Sequence, residues 1–281
     1  MNIDLSGIIR SRLGDKGKLI PSFLLRPLER IIRQDELNSM LDAAGDAKGS
    51  DFARLILRHL DITLEVEGLG NIPGDEKFVF ASNHPLGGLD GIALVAILGE
   101  KYGDDMLRVP VNDLLLHVGP LREVFLPVNK FGAQGREGAE AINRAFEEGR
   151  QIMMFPAGLV SRLHADGSIH DLLWQKSFVA KALEYGRRIV PIRFEALNSM
   201  RFYKAAKWRK KLGIGFNLEQ ILLPSELVNA GGSRFRITFL PPVDPAPLRD
   251  RGHSPRAIAL SIQQTVMRSN DKKSELMGVK S

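Results

Sequence analysis

Apolar and basic residues recur with a helical period over residues 1–60. The apolar set is Ile8, Ile9, Leu13, Leu19, Phe23, Leu24, Leu28, Ile31 and Ile32, and the basic set is Arg10, Arg12, Lys16, Lys18, Arg26, Arg30 and Arg33. This pattern predicts an amphipathic helix. Pro21 and Pro27 must divide it, because proline lacks the N–H that a helix interior requires. We expect residues 1–60 to form an N-terminal amphipathic helical segment that faces a membrane.

The pattern changes at Ile62 to strict alternation of apolar and polar residues, which predicts a strand. Further short apolar runs follow at residues 78–81, 107–112, 124–129, 150–155, 187–194 and 234–240. Helical patterns separate several of them, at about residues 111–118, 136–148 and 171–185. Strands that alternate with helices predict an α/β fold with a mostly parallel or mixed central sheet flanked by helices. We assign this fold to one domain of residues 61–269.

The end of the chain carries a last amphipathic pattern, for which Ser254 is the predicted N-cap and Met267 the approximate end. Residues 270–281 are mostly polar and lack a helical or strand period. We therefore expect a flexible tail over these residues.

A net charge of +6 and a pI near 9.6 favour contact with polyanions. Nucleic acid, anionic lipid headgroups and acidic carrier proteins all remain possible on charge alone. The chain contains no cysteine, which excludes disulfides, thiolate metal sites and a cysteine nucleophile. Any group transfer must therefore use another nucleophile or proceed directly from donor to acceptor.

Membrane-spanning segments are not predicted. The longest uninterrupted apolar stretch covers residues 92–98, far short of the roughly 20 residues that cross a bilayer. The first residues, MNIDLSGIIRSR, lack the apolar core of a signal peptide. We expect a cytoplasmic protein that contacts the inner face of the membrane peripherally.

His84 follows the apolar run at residues 78–81, where a strand gives way to a loop. Pro85 favours an extended backbone at His84, and ligands of such sheets bind beyond the carboxyl ends of the strands. Asp90 lies six positions later, at the expected N-cap of a helix. A histidine held by a carboxylate has the chemistry of a general base.

Two glycines, Gly87 and Gly88, allow the intervening loop to bring the Asp90 carboxylate back toward the imidazole. A simpler interpretation remains open at this point. In it, Asp90 only caps the helix and His84 is an ordinary polar residue of a surface loop.

Four segments share their order and spacing with a known family. They are SNHPLGGLDG at residues 82–91, LPVNKFG at 126–132, FPAGLVSR at 155–162 and IVPIRF at 189–194. Together they resemble the four motif blocks of the PlsC-like glycerolipid acyltransferases. Several grouped motifs weigh more than one residue pair, so the resemblance favours catalysis by His84 and Asp90.

The first and third blocks depart from the usual family pattern. Five residues separate His84 from Asp90 where most members have four, and Ala157 stands where glutamate is usual. These features are similar to the branch that contains hemolysin-like acyltransferases and the N-acyltransferases of ornithine and glycine lipids. Residues 174–178 and 197–199 also look like that branch. The missing glutamate favours an amino-acid or other lysolipid acceptor over glycerol phosphate.

The resemblance implies direct transfer of a fatty acyl group from acyl carrier protein or coenzyme A to an amine or a hydroxyl. His84 would act as general base and Asp90 would orient it, with no covalent enzyme intermediate. Gly87 and Gly88 would shape the loop, and either the backbone from Leu86 to Gly88 or the turn at Ala157 and Gly158 would supply N–H groups to the oxyanion. No metal and no bound cofactor are implied.

A substrate-binding set follows from the second and third blocks: Asn129, Lys130, Phe155, Pro156, Gly158 and Arg162. Lys130 stands where the family usually has an arginine for an anionic substrate group. Arg162 has the geometry to bind a carboxylate or phosphate, but an ion pair with Asp166 or Asp171 remains an open alternative. Pro156 and Gly158 also suit a tight turn after a strand.

Residues 201–211 combine six basic and three aromatic side chains. This composition suits an anionic membrane surface or an acidic carrier protein, and a solvated basic helix is the open alternative. We expect no nucleic acid partner. Three other functions remain possible from the sequence: a lysophospholipid O-acyltransferase that acts on 1-acylglycerol-3-phosphate, a hydrolase in which the same base activates water, and a non-catalytic peripheral lipid-binding protein.

Overall fold

A computed structural model describes residues 26, 29–111, 118–128, 132–211 and 218–268. The strands are β1 Thr63–Glu67, β2 Phe78–Ser82, β3 Leu107–Val111, β4 Phe125–Pro127, β5 Gln151–Met154, β6 Arg162–Leu163, β7 Ile169–His170, β8 Arg188–Glu195 and β9 Arg234–Phe239. The helices are α1 Gln34–Ala44, α2 Gly49–His59, α3 Gly88–Tyr102, α4 Gly132–Glu147, α5 Ser177–Glu184, α6 Met200–Lys211, α7 Leu223–Asn229, α8 Ala246–Asp250 and α9 Pro255–Arg268.

Seven of these strands form one sheet in the order β1-β9-β8-β2-β5-β3-β4. From β8 to β4 the neighbouring strands run parallel, whereas β9 runs antiparallel to β8 and β1 runs parallel to β9. Strands β6 and β7 form a separate antiparallel pair. The predicted α/β fold with a mostly parallel, mixed central sheet is confirmed.

Strand β2 lies in the middle of the sheet and every residue in it is buried. Because side chains alternate along a strand, Phe78 and Phe80 face one side of the sheet while Val79 and Ala81 face the other. The first side packs against α2 and α3, and the second against α5 and α9. Cover on both faces explains why β2 is a continuous apolar run without polar alternation.

Helix α2 belongs to the segment that the sequence predicts to face a membrane. Its apolar face, formed by Phe52, Ala53, Ile56 and Leu57, is buried in the core. Residues 1–25, 27 and 28 lie outside the described residues. The role of residues 1–60 at a membrane and the domain boundary at residue 60 stay predictions.

Most predicted elements coincide with observed ones. The predicted helix at 136–148 is α4, and the last helix has its predicted cap, since Ser254 Oγ accepts a 3.2 Å hydrogen bond from Ala257 N–H. The helix predicted at 171–185 was too long, because residues 171–176 form a loop before α5. Residues 112–117 and the tail from 269 lie outside the described residues. None of the described helices is long and apolar enough to cross a membrane.

Candidate active site

His84 lies two residues beyond the end of β2, the middle strand of the seven-stranded sheet. Asn83 holds this strand end in place through its side-chain amide, which donates to Phe194 O at 2.9 Å and accepts from Phe194 N–H at 2.7 Å. The imidazole is only 18% exposed. As predicted, the histidine therefore lies at the carboxyl edge of the sheet, where α/β folds bind their ligands.

Asp90 contacts the imidazole directly. His84 Nδ1 lies 3.1 Å from both carboxylate oxygens of Asp90. The same carboxylate, which is fully buried, accepts hydrogen bonds from the backbone N–H groups of Leu86 at 3.0 Å, Gly87 at 3.3 Å and Gly91 at 2.9 Å. Charge-assisted bonds of this kind stabilise an ionised carboxylate against the cost of burial.

The predicted helix position of Asp90 was wrong. Helix α3 begins at Gly88, so Gly87 is the N-cap and Asp90 lies at the third helical position. Gly87 has φ of +87°, a backbone conformation that side chains disfavour, and a Cβ there would lie 3.1 Å from Leu223 and 3.3 Å from Val160. The tight turn at Gly87 is what folds the loop back so that Asp90 reaches His84.

The electrostatic surroundings of His84 favour the protonated ring. Burial lowers its pKa, but the Asp90 carboxylate raises it through both charge and hydrogen bonding, and Asp171 adds to the rise. Arg162 opposes them with its positive charge. The net result is a pKa above the ordinary value of 6.5, which suits a base that must take a proton near neutral pH.

Phe155, from the third block, stacks on the His84 ring with centroids 4.0 Å apart and planes inclined by 23°. Phe155 covers one face of the imidazole, so polar partners must approach the edge of the ring. At that edge, Nδ1 already contacts Asp90. Phe155 therefore restrains the orientation of the ring. Of the remaining third-block residues, Pro156 accepts a 2.9 Å bond from Gln175 N–H through its carbonyl, and Gly158 has a positive φ in the turn.

Asp171 also belongs to the site, although the sequence indicated it only as a possible ion-pair partner of Arg162. It is 1% exposed and accepts hydrogen bonds from the backbone N–H of His84 at 3.2 Å, from Ser161 Oγ at 2.6 Å and from Trp174 Nε1 at 2.9 Å. Ser161 N–H also donates to His84 O at 2.8 Å. Asp171 thus joins the His84 loop to the third block and to Trp174.

The donors from His84 and Ser161 could not be located from sequence, because they lie 87 and 10 positions away from Asp171. A weaker signal was available, since Asp171 lies three residues before Trp174, and an aspartate close to a buried tryptophan is a common hydrogen-bond partner of the indole N–H. Burial raises the pKa of Asp171, and the hydrogen bonds from Ser161 and Trp174 oppose that rise.

The partner of Arg162 is neither Asp166 nor Asp171, the two that the sequence suggested. Its Nη2 lies 2.8 Å from Glu219 Oε1, and Arg209 Nε lies 2.8 Å from the other oxygen of the same carboxylate. Glu219 is fully buried, whereas Arg162 and Arg209 are 12% and 16% exposed. Two guanidinium groups and one carboxylate leave this buried cluster with one net positive charge beside the histidine loop.

The remaining predicted site residues divide into two groups. Asn129 and Lys130 lie outside the described residues. Of the backbone groups considered for an oxyanion, Leu86 and Gly87 donate to Asp90 and Gly158 donates to Phe155 O at 2.9 Å. The N–H groups of Gly88 and Ala157 are the candidates that remain from that set.

Comparison with known proteins assigns the chain to a family. A model of the acyltransferase family matches residues 10–272. The chain belongs to this acyltransferase family. It is also similar to the lyso-glycine lipid O-acyltransferase of Phocaeicola vulgatus, at 41% identity over 241 residues that cover 86% of each chain. The enzyme of the same name from Bacteroides thetaiotaomicron is 38% identical over 241 residues, which cover 86% of this chain and 88% of that one.

Among solved structures, the fold is similar to that of the 1-acyl-sn-glycerophosphate acyltransferase PlsC from Thermotoga maritima, with a TM-score of 0.45 and 15% identity. The alignment covers 92% of this chain and 94% of that one. The family match and the two relatives confirm the predicted class, an acyltransferase in a branch with glycine-lipid enzymes.

Replacement of Asp171 by Asn tests its link to His84. An amide can still accept from Trp174 N–H through its oxygen, but its NH₂ then faces Ser161 and one of the two acceptors of His84 N–H is lost. We expect kcat to fall by about 10²-fold, the typical cost of a small misplacement of a catalytic group. KM for the acyl donor should change little. The midpoint of the pH–activity profile should move to lower pH, because the Asp171 charge raises the pKa of His84 and its removal lowers that pKa.

Asp166→Asn provides the control for this measurement, since Asp166 is exposed and bonds only Ser168 among the residues described. It should leave both kcat and the pH profile unchanged. An Asp171→Asn enzyme that loses stability but keeps the wild-type kcat and pH midpoint would reduce Asp171 to a structural role.

Proposed function

We propose that this enzyme transfers a fatty acyl group from acyl carrier protein or coenzyme A to the hydroxyl of a lysolipid with an amino-acid head group, with lyso-glycine lipid as the first candidate. The observation that carries the proposal is the contact between His84 Nδ1 and the buried Asp90 carboxylate. The names of the two relatives support a lipid acceptor and an ester product.

In the proposed reaction, Asp90 keeps the proton of the neutral imidazole on Nδ1, so Nε2 is free to act as the base. Nε2 takes the proton of the acceptor hydroxyl while the hydroxyl oxygen attacks the thioester carbonyl. The tetrahedral intermediate then collapses, the C–S bond breaks, and the proton passes from His84 to the departing thiolate. An ester and a free thiol result, so no covalent enzyme intermediate is needed.

The oxyanion of the intermediate requires N–H donors aimed at it. Because Asp90 occupies the N–H groups of Leu86 and Gly87, we assign this role to Gly88, the first residue of α3, together with Ala157. The N-terminus of a helix carries a partial positive charge, which favours a developing anion there.

A hydroxyl acceptor fits this chemistry better than an amine. An α-amino group is largely protonated near neutral pH and would have to lose a proton before it could attack. A hydroxyl reaches His84 in the correct state and gives up its proton during the attack. The relatives are also named as O-acyltransferases, so we favour the ester-forming reaction over N-acylation.

Arg162 is the proposed anchor for the head-group carboxylate. Its Nη1 is buried and makes no hydrogen bond to any residue that the structure describes, while Nη2 is held by Glu219. Arg162 follows Ser161, which is bonded to His84 O, so its charge lies close enough to lower the pKa of His84. A carboxylate would satisfy the remaining N–H and compensate the net charge of the cluster. Phosphate acceptors are less favoured, because Ala157 replaces the usual glutamate.

We also propose that the enzyme works at the cytoplasmic face of the membrane as a peripheral protein. Thioesters of acyl carrier protein and coenzyme A are water-soluble donors, and a lysolipid acceptor enters from the bilayer. The site must therefore take one substrate from water and the other from lipid.

Substitutions of His84 and Asp90 test the proposed mechanism. His84→Gln removes the base, and transfer from acyl-ACP or acyl-CoA to lyso-glycine lipid should fall by about 10²–10⁴-fold. Asp90→Asn should reduce kcat by a similar factor, because the wrong tautomer of His84 becomes available. The exposed His253→Gln is the matched control and should keep full activity. Mass spectrometry of the products gives the readout, and undiminished turnover by the His84 variant would refute the mechanism.

A separate substitution tests acceptor recognition. Arg162→Gln should raise KM for lyso-glycine lipid by roughly 10–100-fold, the value of one charge-assisted hydrogen bond of about 1.5–3 kcal/mol. The same variant should show little change with an acceptor whose carboxylate is converted to an amide. An equal loss with both acceptors would show that Arg162 serves only to hold Glu219.

A further inference from the structure

The outward side of α6 combines basic and apolar residues in one surface. Its exposed residues, called here the α6 outer face, are Met200, Arg201, Lys204, Lys207, Trp208 and Lys211. They recur at spacings of three and four residues, so they lie on one side of the helix. Met200 is 48% exposed and Trp208 61%, and Leu197, just before the helix, is 62% exposed. Such large apolar side chains rarely remain in water without a partner when they are grouped.

The charges of this face have one sign. Residues 200–211 contain no aspartate or glutamate. None of the four basic residues of the face forms an ion pair with another residue in the described parts of the chain, whereas the inward-facing Arg209 of the same helix binds Glu219. Lys211 Nζ lies 5.6 Å from the centroid of the Trp208 ring, so the basic and aromatic groups are in contact.

The opposite side of α6 connects it to the active site. Phe202 and Tyr203 are buried and pack with Val160, which borders Gly87 of the histidine loop. Tyr203 Oη accepts a 3.1 Å hydrogen bond from Asn198 N–H, and Asn198 Nδ2 donates to Pro85 O at 3.0 Å. Two hydrogen bonds therefore lead from α6 to the residue that follows His84.

We propose that the α6 outer face binds an anionic lipid bilayer and so holds the active site at the membrane surface. Lysine and arginine side chains are attracted to anionic headgroups, while tryptophan and methionine enter the boundary between headgroups and acyl chains. Because α6 is linked to the histidine loop through Val160 and Asn198, this orientation brings the carboxyl edge of the sheet close to the bilayer. The inference holds for any lipid acceptor and does not depend on the identity of its head group.

The apolar residues decide between a membrane and an acidic carrier protein as the occupant. Charge complementarity alone fits both partners. Three large apolar side chains exposed within and beside the basic face, among them a tryptophan, match the composition of helices that lie in a lipid interface. We therefore assign the membrane to this face and leave the carrier protein as an outcome of the test.

The test is binding of the full chain to vesicles of phosphatidylcholine with and without phosphatidylglycerol. The triple variant Lys204→Gln, Lys207→Gln, Lys211→Gln should bind the anionic vesicles on the order of 100-fold more weakly, since each basic residue contributes roughly five-fold. Wild-type binding should weaken as salt increases. The protein has two tryptophans, and Trp174 is buried, so a blue shift of fluorescence on binding should disappear in Trp208→Phe.

A matched control removes the same number of charges elsewhere. Arg249→Gln, Arg251→Gln and Arg256→Gln change exposed residues in and around α8 and α9 and should leave vesicle binding close to wild type. The triple lysine variant should also keep its rate of transfer to a short-chain, water-soluble acceptor, which separates loss of docking from loss of catalysis.

Two results would overturn the proposal. One is equal binding of the wild type and the triple lysine variant to anionic vesicles. The other is a triple variant that binds vesicles normally but loses its affinity for acyl carrier protein, which would assign the α6 outer face to the carrier.

Discussion

A fully buried carboxylate, that of Asp90, shares its two oxygens among three backbone N–H groups and the imidazole of His84. An ion in that position is stable only if every donor remains in place, because an unpaired buried charge costs several kcal/mol or more. The turn at Gly87, the start of α3 and the orientation of His84 all meet that requirement together. Stability of the loop and the orientation of the proposed base, His84, therefore depend on the same hydrogen bonds.

Further supports surround this loop on each side. Asn83 attaches it to β8, Asp171 attaches it to the third block and Trp174, and Asn198 attaches it to the segment that leads into α6. Phe155 covers the ring itself. A histidine restrained in this way needs little reorganisation to reach a reactive geometry, which is the principal contribution that a scaffold makes to acid–base catalysis. The site thus uses residues that follow β2, β5, β7 and β8.

The fold and the central pair could be predicted from sequence because their signals are local. Alternation along β1, the apolar run of β2 and the helical period of α4 each depend on neighbouring residues. The exact helix position of Asp90 was missed because the turn at Gly87 starts the helix earlier than the polar pattern indicates. Asp171 and Glu219 were missed because their partners come from distant segments, and a single sequence carries no record of such contacts. Loop 171–176 looked helical because tertiary hydrogen bonds override its local period.

We propose that Asp90 keeps neutral His84 in the tautomer with its proton on Nδ1. Nitrogen NMR of ¹⁵N-histidine-labelled protein, recorded through a pH titration, tests it directly. We expect a His84 signal of the Nδ1–H tautomer with a pKa above 6.5, because the two carboxylates outweigh the effect of burial. In Asp90→Asn both the tautomer preference and the raised pKa should be lost. A His84 that carries its neutral proton on Nε2, or one whose titration is the same in both proteins, would contradict the account.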